Sequence, residues 1–221
     1  MTHKGASVVT PWEVKGEIDY DRLMERFGTE PITPELLERI REHTGRLHYM
    51  LRRGVFYSHR DLDAILDHHE RGGRFVLYTG RGPAGPAHLG HLVPWTFTRH
   101  LQEAFGSKLL FQFTDDERLL IRDDVDEEFS GHWVLENALD VMALGFDPEN
   151  TEFIINTRHA SELYPLALKI ARGITCSTMR AAFGFGDDSS LGRGSSPRCR
   201  RLPASSSLRE ESLCLAWCPR V

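Results

Sequence analysis

Apolar residues recur along this chain at two periods, and the switches between them lay out most of its elements. Leu36, Leu37 and Ile40 share one side of a helix that opens at Pro34, with proline in the first turn and Thr33 placed as its cap. Leu62, Ile65 and Leu66 repeat at helical spacing, which predicts a second helix beginning at Ser58 and ended by Gly72-Gly73. Phe75-Val76-Leu77-Tyr78 is instead a short β-rich run suited to a buried parallel strand. A stiff Gly/Pro loop over residues 79–86 follows, then a helix from His88 to about Phe105, closed by Gly106. Residues 109–113 read as a second strand, and Thr114 with Asp115 and Asp116 caps a short helix. A long helix is expected from Asp126 to Leu144, a third strand at residues 153–155, and a last helix from Ser161 to about Arg172.

Strand, helix, strand, helix, strand in this order predicts an α/β fold with a doubly wound parallel sheet and right-handed crossovers. Ligands in such sheets bind at the carboxyl ends of the strands. Both residues 79–86 and residues 112–117 fall there, so the two most unusual segments should lie close together. Residues 1–33 are polar, with scattered apolar positions such as Trp12, Val14, Ile18 and Phe27; they read as an irregular or partly β extension.

Composition narrows the function. With 221 residues, 40% of them hydrophobic and 27% charged, the chain can bury one sizeable core and carry a small appendage. A formal net charge of −5 argues against a surface built mainly for nucleic acid, so any RNA contact must be local or lie on a partner or a missing domain. No apolar run is long enough to span a bilayer and no signal pattern opens the chain, which predicts a cytoplasmic protein without membrane partners. Cys199, Cys214 and Cys218 crowd the C-terminal tail and only Cys176 lies elsewhere, a distribution that suits a reducing compartment. Cys214 and Cys218 would need two further zinc ligands, and no histidine follows residue 159; no metal site is expected. His68-His69, on a polar helix face, reads as a solvated pair.

The strongest chemistry is His88-Leu89-Gly90-His91 at a helix start. Backbone N–H groups and the positive end of the dipole favour phosphate there, glycine lets a flat ring approach the backbone, and two histidines one turn apart can donate to phosphate oxygens. Taken alone, the pattern is equally compatible with two histidines on a helix surface. Tyr78 and Gln112, on neighbouring strands, can supply acceptors to a ligand N–H, and Asp115, Asp116 and Glu117 follow as a run of acids. Singly these could be a core aromatic, a satisfied amide and a helix-start acid; Phe183-Gly-Phe-Gly follows no strand and is no dinucleotide fingerprint.

In combination, Tyr78-Thr-Gly-Arg-Gly-Pro83, His88-Leu-Gly-His91 and Gln112-Phe-Thr-Asp-Asp-Glu117 resemble the archaeal and eukaryotic tryptophanyl-tRNA synthetases. Leu51-Arg-Arg-Gly-Val-Phe-Tyr-Ser-His-Arg-Asp61 and Ile18-Asp-Tyr-Asp21 are similar to that family as well, and the likeness runs over roughly residues 11–190. The resemblance implies a class I, Rossmann-type catalytic domain in which His88 and His91 carry the catalytic "HIGH" motif. ATP would be held by Thr79, Gly80, Arg81, Gly82, His88, Gly90 and His91. Tryptophan would be held by Tyr78 and Gln112 at the indole nitrogen and by Glu117 at the ammonium. It further implies ATP with Mg2+ as substrate, no tightly bound cofactor, tRNA(Trp) as partner and a homodimer. The rivals are a tyrosyl-tRNA synthetase of the same fold, a small H-x-G-H nucleotidyltransferase and a non-catalytic ligand- or partner-binding fragment.

Three regions are expected: an N-terminal extension with helices at 1–72, an incomplete Rossmann-type domain at 73–193, and an aberrant, disordered tail at 194–221. The tail is rich in Ser, Arg, Pro and Cys without sustained apolar periodicity. One choice of codons for residues 195–204, read one base earlier, encodes Phe-Pro-Ala-Val-Gln-Ala-Ala-Ala-Cys, similar to the family's continuation; a shifted frame is therefore one expectation for the change, and a genuine disordered tail is the other. The family's Lys-Met-Ser-Lys-Ser-type loop and helical anticodon-binding domain do not occur in these 221 residues, which implies a weakly active or inactive chain.

Overall fold

The computed structural model of the protein describes residues 28–121 and 125–183 with short stretches on either side. Near the N-terminus, β1 (Val8–Val9) and β2 (Val14–Lys15) pair antiparallel. β3 (Glu30–Pro31) leads into α1 (Pro34–Thr44), capped by Thr33, whose hydroxyl accepts from the Leu36 amide at 3.2 Å. A one-turn helix α2 (Tyr49–Arg52) and β4 (Phe56–His59) follow. Ser58, expected to open a helix, therefore lies in a strand, pairing with Pro31. Helix α3 (Leu62–Glu70) starts only after Asp61, which sits at φ 56°. The helical spacing of Leu62, Ile65 and Leu66 matches the buried face of this helix, whereas the Ser58 side chain caps nothing because its backbone is committed to β4. His69 is not a bare surface residue, since its ring meets Phe75 and Phe105 edge-on.

The main sheet is built from β5 (Phe75–Arg81), β6 (Leu109–Phe113) and β7 (Thr151–Ile155), all parallel. Between them run α4 (Leu89–Phe105), then α5 (Asp115–Ile121) and α6 (Glu127–Ala143). After β7 come α7 (Ala160–Ala171) and α8 (Cys176–Phe183). β5 is longer than its apolar run: the strand carries on through Thr79 and Gly80 to Arg81, into what the glycines suggested was loop. In the tail, expected to be disordered, β8 (Leu213–Leu215) pairs parallel with β5, and β9 (Cys218–Pro219) pairs antiparallel with β4. The sheet order is thus β7-β6-β5-β8.

β6 is buried at every position, as a central parallel strand covered on both faces must be. One face carries the principal core, where Leu77, Leu109, Phe111 and Phe113 pack with Trp95, Phe97 and Leu101 of α4 and Val134 and Val141 of α6. The other face carries a smaller cluster, Leu110 and Ile154 against Leu163 of α7, with Val76 and Tyr78 at its margin. Helices on both faces make the sheet doubly wound. Among the described residues no helix is long and apolar enough to cross a membrane.

Candidate functional site

Alternation along the strands decides which expected site residues meet. Tyr78 and Gln112 occupy even positions on β5 and β6 and point to the face covered by α7, where the phenol donates a hydrogen bond to Gln112 Oε1. Gln112 is fully buried, so both ends of its amide need partners. The second partner, which sequence reasoning missed, is Asn156: Gln112 Nε2 donates to Asn156 Oδ1 at 2.6 Å, and Asn156 Nδ2 donates to Asp116 Oδ1 at 2.7 Å. A signal existed, because Asn156 follows directly on β7, at the strand end where ligand-facing residues gather.

The three acids of 115–117 do more than favour a helix start. Asp115 accepts from the Thr157 amide at 3.1 Å and from the Thr157 hydroxyl, which staples α5 to the end of β7. Asp116 holds Asn156, and burial raises its carboxyl pKa above the ordinary value against the lowering effect of that bond. Glu117, buried at 4% exposure, accepts from the Thr114 hydroxyl at 3.0 Å.

His88 and His91 stand at the head of α4, on the opposite face of the sheet. Their geometry is a reciprocal cap: Gly90 N–H donates to His88 Nδ1 and His88 N–H donates to His91 Nδ1, both at 3.2 Å. Because each Nδ1 accepts, this hydrogen-bond pattern assigns the proton of each neutral ring to Nε2. Both rings therefore present an N–H donor outward. The space above Gly90, expected to receive a flat ligand ring, is occupied by His88, whose Cε1 and Nδ1 lie 3.0 and 3.1 Å from where a Cβ would stand. The Gly90 N–H, expected to be free for phosphate, is likewise taken by that ring. A ligand that used either would have to turn His88 aside.

His91 stacks on Trp95, with centroids 5.6 Å apart. Burial, with the nearby Arg81 cation and His88, lowers its pKa to about 4. His48, half-buried beside His100 and near Arg46 and Arg52, is also lowered to about 4, chiefly by desolvation. As pH falls below 6.5 the unfolded chain takes up these protons first, so stability is lost between pH 6.5 and about 4 and is fully present above that window. NMR titration should find His91 neutral at pH 7 with a midpoint near 4; a midpoint near 6.5 would contradict the burial described here.

The 82–87 loop that presents α4 is tied down from two sides. Arg81 donates to the carbonyls of Gly85 and Pro86, each at 3.0 Å, and Asn137 of α6 donates to the same Gly85 carbonyl at 3.1 Å. Gly80 sits opposite Gln112 in the ladder. Thr79, Gly80 and Arg81 thus belong to the last turn of strand rather than to a free loop. A cleft of about 390 Å3 opens at the same sheet edge between α5, α6 and the end of β7, lined by Asp115, Leu119, Ser130, Ile155, Thr157 and Arg158. None of the residues expected to bind ATP or tryptophan lines it. The Phe183–Asp188 glycine motif lies outside the described residues apart from Phe183.

Residues 70–195 match the family model described as tRNA synthetases class I (W and Y). A tryptophan–tRNA ligase of Pyrobaculum calidifontis is 47% identical over 185 residues, which cover 84% of this chain and 50% of that protein. Among solved structures, the tryptophanyl-tRNA synthetase of Plasmodium falciparum superposes with a TM-score of 0.81 at 38% identity, covering 85% of this chain and 52% of that one. A tryptophanyl-tRNA synthetase from Encephalitozoon cuniculi, bound to tryptophan, gives 0.82 at 34% identity, covering 90% and 56%. The chain spans about half the length of the curated relatives it matches.

Proposed function

From the membership of this chain in the class I tRNA synthetases of the W and Y type, we propose that it supplies the tryptophan- and ATP-binding part of a tryptophan–tRNA ligase. The hydrogen bond between Tyr78 and Gln112 carries the tryptophan assignment. Indole is a broad apolar body with one N–H that only donates, and an oxygen pair at the junction of two strands, flanked by apolar Val76, Leu110 and Ile154, suits it. Glu117 receives the substrate ammonium. His88 and His91 donate from Nε2 to ATP phosphate oxygens, with Thr79, Gly80, Arg81 and Gly82 forming the floor of the nucleotide site; Gly90 supports the His88 ring through its N–H instead of touching the ligand.

In the reaction a carboxylate oxygen of tryptophan attacks the α-phosphorus and pyrophosphate leaves with its electron pair. A hydroxyl of the tRNA terminus then attacks the carbonyl carbon and AMP leaves. No protein nucleophile is required; alignment and stabilisation of phosphate charge suffice. A neutral His91 contributes a hydrogen bond rather than a full charge, which leaves most of the phosphate charge to Mg2+ arriving with ATP and to the Arg81 cation beside the ring. The protein is expected to be a homodimer in a cytoplasmic setting.

Calorimetry should show one tryptophan site per chain with preference over tyrosine, alongside pyrophosphate exchange far below that of a full-length relative. Preference for tyrosine would favour the rival synthetase, and binding of neither amino acid would remove the reading. Exchange at a full-length rate would refute the expectation that the chain turns over poorly.

A further inference from the structure

The buried chain of side chains behind Gln112 has a direction, and that direction bears on specificity. An ionised carboxylate accepts hydrogen bonds and cannot donate. Asp116 therefore obliges Asn156 to turn its NH2 toward Asp116 Oδ1, 2.7 Å away, leaving Asn156 Oδ1 to face Gln112. Asn156 Oδ1 in turn can only accept, so Gln112 must present Nε2 to it at 2.6 Å. The remaining end of Gln112, the carbonyl Oε1, is thereby aimed at Tyr78. Without the acid at one end, each amide could flip by half a turn at little cost, and Gln112 would offer an NH2 where an indole N–H requires an acceptor.

We propose that Asp116 and Asn156 are positioning residues that set the orientation of the Gln112 amide, and so select a ligand whose ring carries an N–H donor. The inference rests on the tryptophan reading for its ligand, but the relay itself belongs to the fold. Asn156 is held for the task from its backbone, since its N–H donates to the Phe113 carbonyl at 3.1 Å. It is buried at 3% exposure, where an amide freed from its partners would be costly. Asp115 fixes the neighbouring Thr157 and keeps the start of α5 in register with it.

The test uses the full chain with Asn156→Leu, which removes the relay at similar volume, and Asp116→Asn, which keeps the shape but removes the acceptor-only end. Affinity for tryptophan is compared with affinity for the benzothiophene analogue, in which sulfur replaces the ring N–H. The wild-type chain should prefer tryptophan by about tenfold, in line with one well-placed hydrogen bond. In both variants that ratio should fall toward one through weaker tryptophan binding, while analogue affinity holds, a split that a purely structural role would not give. An unchanged ratio in a folded variant overturns the proposal, and Asp116→Asn decides alone if Asn156→Leu does not fold. A second measurement separates this from the tryptophan reading. Hydrogen exchange at the Gln112 side-chain amide should be slow in the wild type and fast in Asp116→Asn, whether or not tryptophan binds. Fast exchange in the wild type, or slow exchange in the variant, would discard the relay.

Discussion

Gly80→Ala is expected to lower the unfolding free energy by roughly 3 kcal/mol or more, at the upper end for an overpacked site. The added Cβ would stand 2.3 Å from the Gln112 carbonyl oxygen and 3.1 Å from its carbon. Both are backbone atoms of a strand buried at every position, so no side chain can swing away. Relief requires β5 and β6 to separate at the register pair Gly80↔Gln112, which would also pull Tyr78 from Gln112. Gly131→Ala is the matched control. It adds the same methyl within α6, where nothing lies within 4 Å, and should stabilise by about 1 kcal/mol through helix propensity. Urea titration of the two variants would decide; equal midpoints would show that β5 and β6 are not packed this closely.

Trp95→Ala should cost about 3–5 kcal/mol, the usual range for emptying a buried large aromatic, and for a single domain that is a large share of total stability. Trp95 is 1% exposed and joins the core to the site: its ring meets Phe111 edge-on at 5.5 Å and stacks on His91. The loss should therefore have a second signature. With the stacking partner gone, water reaches His91 and its midpoint should climb from about 4 toward the ordinary 6.5. Trp95→Phe should keep more of both. If denaturant unfolding shows the loss while the His91 midpoint stays near 4, then Arg81 and His88, not burial against Trp95, hold it down.

The two variants probe opposite sides of one sheet, and this two-sidedness is what a one-dimensional reading could not supply. The resemblance assigned Tyr78, Gln112 and Glu117 to one ligand and His88 and His91 to another. Alternation along β5 and β6 adds that the first pair faces α7 while the histidines ride on α4 across the sheet, so the two ligands could meet only over the strand ends.

Local periodicity is enough for β6, α4, α6 and α7, whose expected limits lie within two residues of those observed: β6 is an unbroken apolar run but for Gln112, and the helices have long apolar patterns, with Asp126 capping α6 and Gly106 ending α4. It failed where pairing partners, not pattern, decide the conformation. Ser58 pairs with Pro31, far away in sequence, and so is strand; Leu213–Leu215 becomes strand only by lying against β5. The residue types of the site were likewise legible, since phosphate and indole chemistry restrict them to few choices. What only the tertiary structure settled is which partner each polar group finds: Gly90 N–H with His88, Thr157 with Asp115, Gln112 with Asn156 and through it Asp116. Burial makes such pairing obligatory, but chain topology chooses the partner, and topology is a property of the whole sheet rather than of any stretch of sequence.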